Sequence, residues 1–215
     1  MHLGTRGGEA SAACFHSHTR PSQTPSGQQE LHVTDSPRVS THRVYSGRVL
    51  NLDIDTVRFP NGSIGELEMI RHPGASAVVP FLSDPVGDDP QILLIRQYRY
   101  AAERYLYEVP AGRLDANEAP EHCARRELRE ETGCEAERVE QMFTMYTTPG
   151  FTDERIHVFM AVGLTRGEVA READEFIEVE TMPLSRALSM VERGEIQDGK
   201  TSLALLYAAG FRAGR

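Results

Sequence analysis

The stretch from Gly112 to Cys134 reads G-R-L-D-A-N-E-A-P-E-H-C-A-R-R-E-L-R-E-E-T-G-C, with Glu127, Glu130 and Glu131 directly ahead of Gly133. Side chains three and four apart on an α-helix share a face. At roughly 100° per residue the three carboxylates span an arc of about 100°. Like charges so placed repel by a few tenths of a kcal/mol per pair. A divalent cation bridging them relieves that repulsion, and oxygen ligands suit the hard cations Mg²⁺ and Mn²⁺.

A lone E-x-x-E-E is ordinarily a solvated helix face, but here the frame around it matters. Asn117 is placed to cap the helix, Pro120 suits a first turn, and Gly133 supplies the stop. Ala124 and Leu128 give an apolar stripe beside the acids. The spacing G-x5-E-x7-R-E-U-x-E-E-x-G-U, with U apolar, is matched by Gly112, Glu118, Arg126, Glu127, Leu128, Glu130, Glu131, Gly133 and Cys134. This pattern resembles the Nudix box, and the chain is identified as similar to Nudix hydrolases.

The remaining composition fits a globular enzyme. Of 215 residues, 40% are apolar and 26% charged, as in soluble domains. Residues 1–40 balance Arg6, Arg20 and Arg38 against Glu9, Glu30 and Asp35, so the net charge of −9 belongs to the rest. An acidic body disfavours non-specific binding to nucleic acid or anionic membranes. Cys14, Cys123 and Cys134 form no disulfide framework or zinc spacing, so a cytoplasmic protein is expected. Neither a signal peptide nor a membrane-spanning run is indicated.

Residues 1–40, rich in Gly, Ser, Thr, Gln and Pro, read as a disordered extension. Residues 41–72 read as N-terminal strands. Leu52, Ile54 and Thr56 alternate with Asp53, Asp55 and Val57, Pro60-Asn61-Gly62 signals a hairpin, and Ile64 to Ile70 returns. Buried strands are expected at Ala75–Leu82 and Ile92–Tyr98, and a short one at Leu106–Val109. After the box helix come strands at Val139–Tyr146, Ile156–Val162 and Phe176–Val179. Helices are expected at Pro183–Arg193 and about Thr201–Phe211. Periodicity alone gives α+β. The resemblance adds a Nudix domain over 73–215, an α/β/α sandwich around a mixed sheet, preceded by the antiparallel strand element.

The resemblance also assigns roles. Glu127, Glu130 and Glu131 would hold Mg²⁺, with Mn²⁺ able to substitute, and the Ala111 carbonyl would join them. Glu118 would act as an outer acid, Arg126 would orient the glutamates, and Gly112 would serve the loop's tight backbone. The L-I-R-Q-Y-R strand (Leu94 to Arg99), the E-V-P-A-G entry (Glu108 to Gly112) and Pro149 look like the ADP-ribose pyrophosphatase branch. That branch implies substrate contacts at Arg96, Glu108, Arg48 and Glu68, with Arg71 a further candidate. It also implies a homodimer whose N-terminal strands reach the neighbouring site. The general base would be Glu175, with Glu172 or a box glutamate as alternatives. The implied reaction is hydrolysis of ADP-ribose to AMP and ribose 5-phosphate. Another nucleoside diphosphate sugar such as GDP-mannose remains open. A non-hydrolysing ADP-ribose sensor fits less well, because the box is complete.

Overall fold

Ala75–Pro80 (β4) is buried at all six positions and pairs parallel with Arg155–Arg166 (β9). A parallel strand covered on both faces needs a near-continuous apolar run, and A-S-A-V-V-P supplies it. The computed structural model describes residues 37–167 and 177–212. Ala111–Arg113 (β7) flanks β4 antiparallel, and Cys134–Tyr146 (β8) pairs antiparallel with β9, giving a mixed sheet in the order β7-β4-β9-β8. A second sheet runs β10-β5-β6, from Ile177–Pro183, Gln91–Arg99 and Arg104–Glu108. The third is the antiparallel sheet Arg38–Ser46 (β1), Asn51–Arg58 (β2) and Ile64–Arg71 (β3).

Strand alternation sends β4 side chains to two cores. Val78 joins Leu93, Phe159 and Ala161 under helix α1 (Pro120–Thr132), which contributes Ala124 and Leu128. Ala77 and Val79 face Leu94, Val158 and Met160. Helices α2 (Leu184–Glu192) and α3 (Gly199–Tyr207) complete that side with Leu184, Ala187, Met190, Ala204 and Leu205. Helices thus cover both faces of the mixed sheet, as the expected sandwich requires.

Several boundaries differ from the sequence expectation. β1 begins at Arg38, inside the stretch assigned to the extension, and all nine of its residues are exposed. β8 starts at Cys134, immediately after the helix, rather than at Val139. Asn117 does not cap α1. Ala119 holds that position without a side-chain bond, and Asn117 lies at φ 63° in the preceding turn. Pro120 explains this, since it needs no N–H partner and forces the residue before it to be extended. Gly133 ends the helix at φ 69°, its N–H donating to the Arg129 carbonyl at 2.8 Å. The hairpin turn is as read, with Gly62 at φ +83° and Asn61 Oδ1 accepting from the Ser63 N–H. Phe176, Glu175 and Glu172 lie outside the described residues.

Candidate active site

Helix α1 turns Glu127 and Glu131 inward and leaves Glu130 half-buried beside them. The β7 backbone comes against this face. A methyl group on Gly112 would lie 1.9 Å from Glu127 Oε1, so glycine is required for close approach rather than for an unusual dihedral. The Ala111 N–H donates to Glu131 Oε2 at 2.9 Å. Arg126 gathers the acids. It forks onto both oxygens of Glu118 at 3.0 Å each, and its Nη1 donates to Glu127 Oε1 at 2.6 Å and Glu130 Oε2 at 3.0 Å. The bidentate pair holds the Glu118 carboxyl down at about 2 and pushes the Arg126 guanidinium above its ordinary range. Glu118 also accepts from the Asp115 N–H at 3.0 Å, which ties down the turn before the helix.

Glu127, Glu130, Glu131, Ala111, Arg126 and Arg48 line one cavity of about 360 Å³, together with His72, Gln97, Arg99 and Arg113. A second, of about 490 Å³, shares His72, Arg99, Ala111, Gly112 and Arg113 and adds Thr147, Glu154 and Lys200. Acids and arginines face one another there, an arrangement suited to a cation and a polyanion together. Among the described residues no three His, Cys, Asp or Glu side chains are grouped to hold a metal ion, and the glutamates are engaged by Arg126 and the Ala111 N–H. The donor set still fits a hard divalent cation. Its side-chain donors are all oxygen, they lie on one helix face, and the missing side chain of Gly112 makes the space that the Glu127 carboxylate fills.

Other expected contacts fall elsewhere. Arg96 lines neither cavity. It donates to Glu178 at 2.9 Å and stacks on Tyr105, with its guanidinium carbon 4.5 Å from the ring centre. Alternation along β5 puts Gln97 and Arg99 on the opposite face from Arg96, and those two line the glutamate cavity. Glu108 is 2% exposed and lines neither cavity; its oxygens accept from Arg99 Nε and Nη2 (2.7 and 2.8 Å) and from Lys200. Burial favours its neutral form, but these cations outweigh it and hold the carboxyl below its usual range. Glu108 therefore anchors Arg99 and Lys200. Glu68 is exposed on β3 and lines neither cavity. Arg71 is engaged by Asp53, Asp55 and Asp153, linking β2, β3 and the loop after β8. Arg48 stands at the glutamate cavity of its own chain, its carbonyl accepting from Arg113 at 3.2 Å.

Sequence reasoning missed Gln97, Arg99, Lys200, His72 and Arg113. The period of two in R-Q-Y-R shows that Arg96 and Arg99 face opposite ways, but not which face holds the site. Lys200 arrives from α3, far along the chain, with no local signal.

Comparison with known proteins places this arrangement. The NUDIX domain family matches residues 72–205. An ADP-ribose pyrophosphatase of Bacillus subtilis is 41% identical over 171 residues, 79% of this chain and 90% of that one. A methanol dehydrogenase activator of Bacillus methanolicus is 39% identical over the same shares. A GDP-mannose pyrophosphatase of Yersinia enterocolitica is 36% identical over 68% of this chain and 79% of its own. A crystal structure of an ADP compounds hydrolase shares the fold, with TM-score 0.67 at 22% identity over 79% of this chain and 90% of that one. Family match, relatives and box geometry agree: this chain is a member of the Nudix family and a Nudix hydrolase.

Proposed function

We propose that the protein hydrolyses ADP-ribose to AMP and ribose 5-phosphate with Mg²⁺, Mn²⁺ being able to substitute. The observation that carries this reading is the cavity in which Glu127, Glu130 and Glu131 face Arg48, Arg99 and Arg113. The 41% identity to an ADP-ribose pyrophosphatase along 90% of that enzyme supports the choice of substrate.

Glu127, Glu130 and Glu131, with the Ala111 carbonyl, would hold the cation. Once bound, a divalent cation neutralises phosphate charge and lowers the pKa of water. Arg99, fixed by Glu108, and Arg113 are set to bind the diphosphate oxygens, with Arg48 lining the same cavity. Arg126 keeps the glutamates in register. Water attacks phosphorus, the P–O–P bridge breaks, and a base takes the water's proton. We assign the base to Glu175, which the resemblance favours for this role; Glu172 is the control. Glu175→Gln should lower kcat by roughly 10²–10⁴ with KM little changed, while Glu172→Gln should be mild.

The finer assignments follow the same reading. Residues 41–72 would serve homodimerisation ahead of a catalytic domain over 73–215, with residues 1–40 an extension that activity does not need; the wholly exposed β1 supports a pairing surface. A cytoplasmic setting suits the free, buried Cys123 and Cys134, and among the described residues no helix is long and apolar enough to cross a membrane. The test is product analysis with Mg²⁺: wild type should release AMP and ribose 5-phosphate. Glu127→Gln or Glu131→Gln should lose orders of magnitude in kcat. Near wild-type kcat in either variant would overturn the ligand assignment. GDP-mannose is the second reading, favoured by the Yersinia relative.

A further inference from the structure

Gln97 lies on β5, in the strand that also carries Arg99, and is 7% exposed. Its side-chain Oε1 is the one buried side-chain nitrogen or oxygen among the described residues without a hydrogen-bond partner. An unmet buried acceptor costs about 1–3 kcal/mol, so such an atom calls for a partner from outside the chain, a water or a ligand. Its location narrows the choice. Gln97 lines the same cavity as Glu127, Glu130 and Glu131. Mg²⁺ dehydrates reluctantly and retains several waters, each with O–H groups to place. A neutral amide oxygen can take one of them without adding charge to a face that already carries three.

We propose that Gln97 is a positioning residue for the cation: its buried Oε1 accepts a hydrogen bond from a water of the cation's hydration shell. The inference rests on Glu127, Glu130 and Glu131 being the metal face. Outer partners of this kind orient what the direct ligands hold, and their loss typically costs roughly 10- to 100-fold in metal affinity.

The test uses the full chain and Mn²⁺ as probe, with binding followed by electron paramagnetic resonance in the absence of nucleotide. Gln97→Met, close in shape and without a comparable acceptor, should weaken Mn²⁺ binding roughly 10- to 100-fold. Gln97→Glu keeps the acceptor and should bind Mn²⁺ at least as tightly as wild type. In turnover with ADP-ribose, Gln97→Met should need more Mg²⁺ for half-maximal rate and recover kcat when it is supplied, with KM for the nucleotide little changed. Without metal, Gln97→Met should melt no lower than wild type, since it removes an unmet acceptor. A lower Tm would overturn the proposal by showing that the oxygen is already partnered in the metal-free fold. Unchanged Mn²⁺ affinity in Gln97→Met would overturn it too, and a raised nucleotide KM alongside would give the oxygen to the substrate. Weakened binding in Gln97→Glu would show that the amide N–H₂ matters instead, and would equally overturn it. Glu131→Gln is the separate control. If it left Mn²⁺ binding intact, the metal-face reading itself would fail, whatever Gln97 does.

Discussion

A methyl group at Gly112 would meet Glu127 Oε1 at 1.9 Å, and the carboxylate rather than the backbone would give way. Gly112→Ala should therefore leave the fold largely stable while displacing an oxygen of the proposed metal face. The expected loss of kcat is on the order of 10²-fold, the usual cost of misplacing a reacting group by about an ångström. Steady-state kinetics beside a thermal melt separate this from unfolding, and a fully active variant would refute the close approach. Glu118 gives a pH prediction. Its folded carboxyl sits at about 2 against an ordinary 4.5, held down by Arg126. A depressed pKa contributes stability that is complete above the ordinary value and is lost as pH falls through the folded one. Tm should thus fall between pH 4.5 and about 2 in wild type, and Glu118→Gln should be less stable at neutral pH but flatter across that window. The same acid-to-neutral change at Glu121, on the exposed side of α1 with Arg125, should do little.

Helix α1 is held by few side chains, because its outer face is charged and its inner face carries only Cys123, Ala124 and Leu128 besides the acids. Leu128 is fully buried against the β4–β9 face, so Leu128→Ala should cost about 2–5 kcal/mol by chemical denaturation. On α3, Asp198 accepts from the Thr201 N–H at 2.9 Å and also holds Lys200. Asp198→Ala should cost about 0.5–2 kcal/mol and loosen the Lys200–Glu108–Arg99 chain, raising KM for the nucleotide. α1 was legible in the sequence because its chemistry is local: acids at helical spacing, a proline in the first turn and a glycine after the last. Its cap was not, since Asn117 satisfies every compositional rule while Pro120 makes a side-chain cap unnecessary. Strands β4 and β5 were legible from their apolar runs, but the working face of β5 was not. Which of Arg96 and Arg99 lines the glutamate cavity depends on packing against β10 and α3, partners remote in sequence.

Across the whole molecule, the proposal gives the N-terminal sheet two tasks, pairing through the exposed β1 and substrate capture by Arg48, which lines the glutamate cavity. Removing residues 1–36 should leave activity and oligomeric state intact. Removing residues 1–60 deletes Arg48 with β1 and β2, and should abolish nucleotide binding and leave a monomer by light scattering. A truncated, fully active monomer would contradict the dimer proposal. The central claim is that the two joined cavities hold a divalent cation at the glutamates and a diphosphate across the arginines, with ADP-ribose as the substrate. It is tested most directly by kcat/KM for ADP-ribose, GDP-mannose, UDP-glucose and NADH, measured side by side on the full chain with Mg²⁺ and again with the cation chelated. ADP-ribose should rank first, with AMP and ribose 5-phosphate as products, and chelation should abolish turnover. A higher kcat/KM for GDP-mannose, or undiminished hydrolysis without a divalent cation, would contradict it.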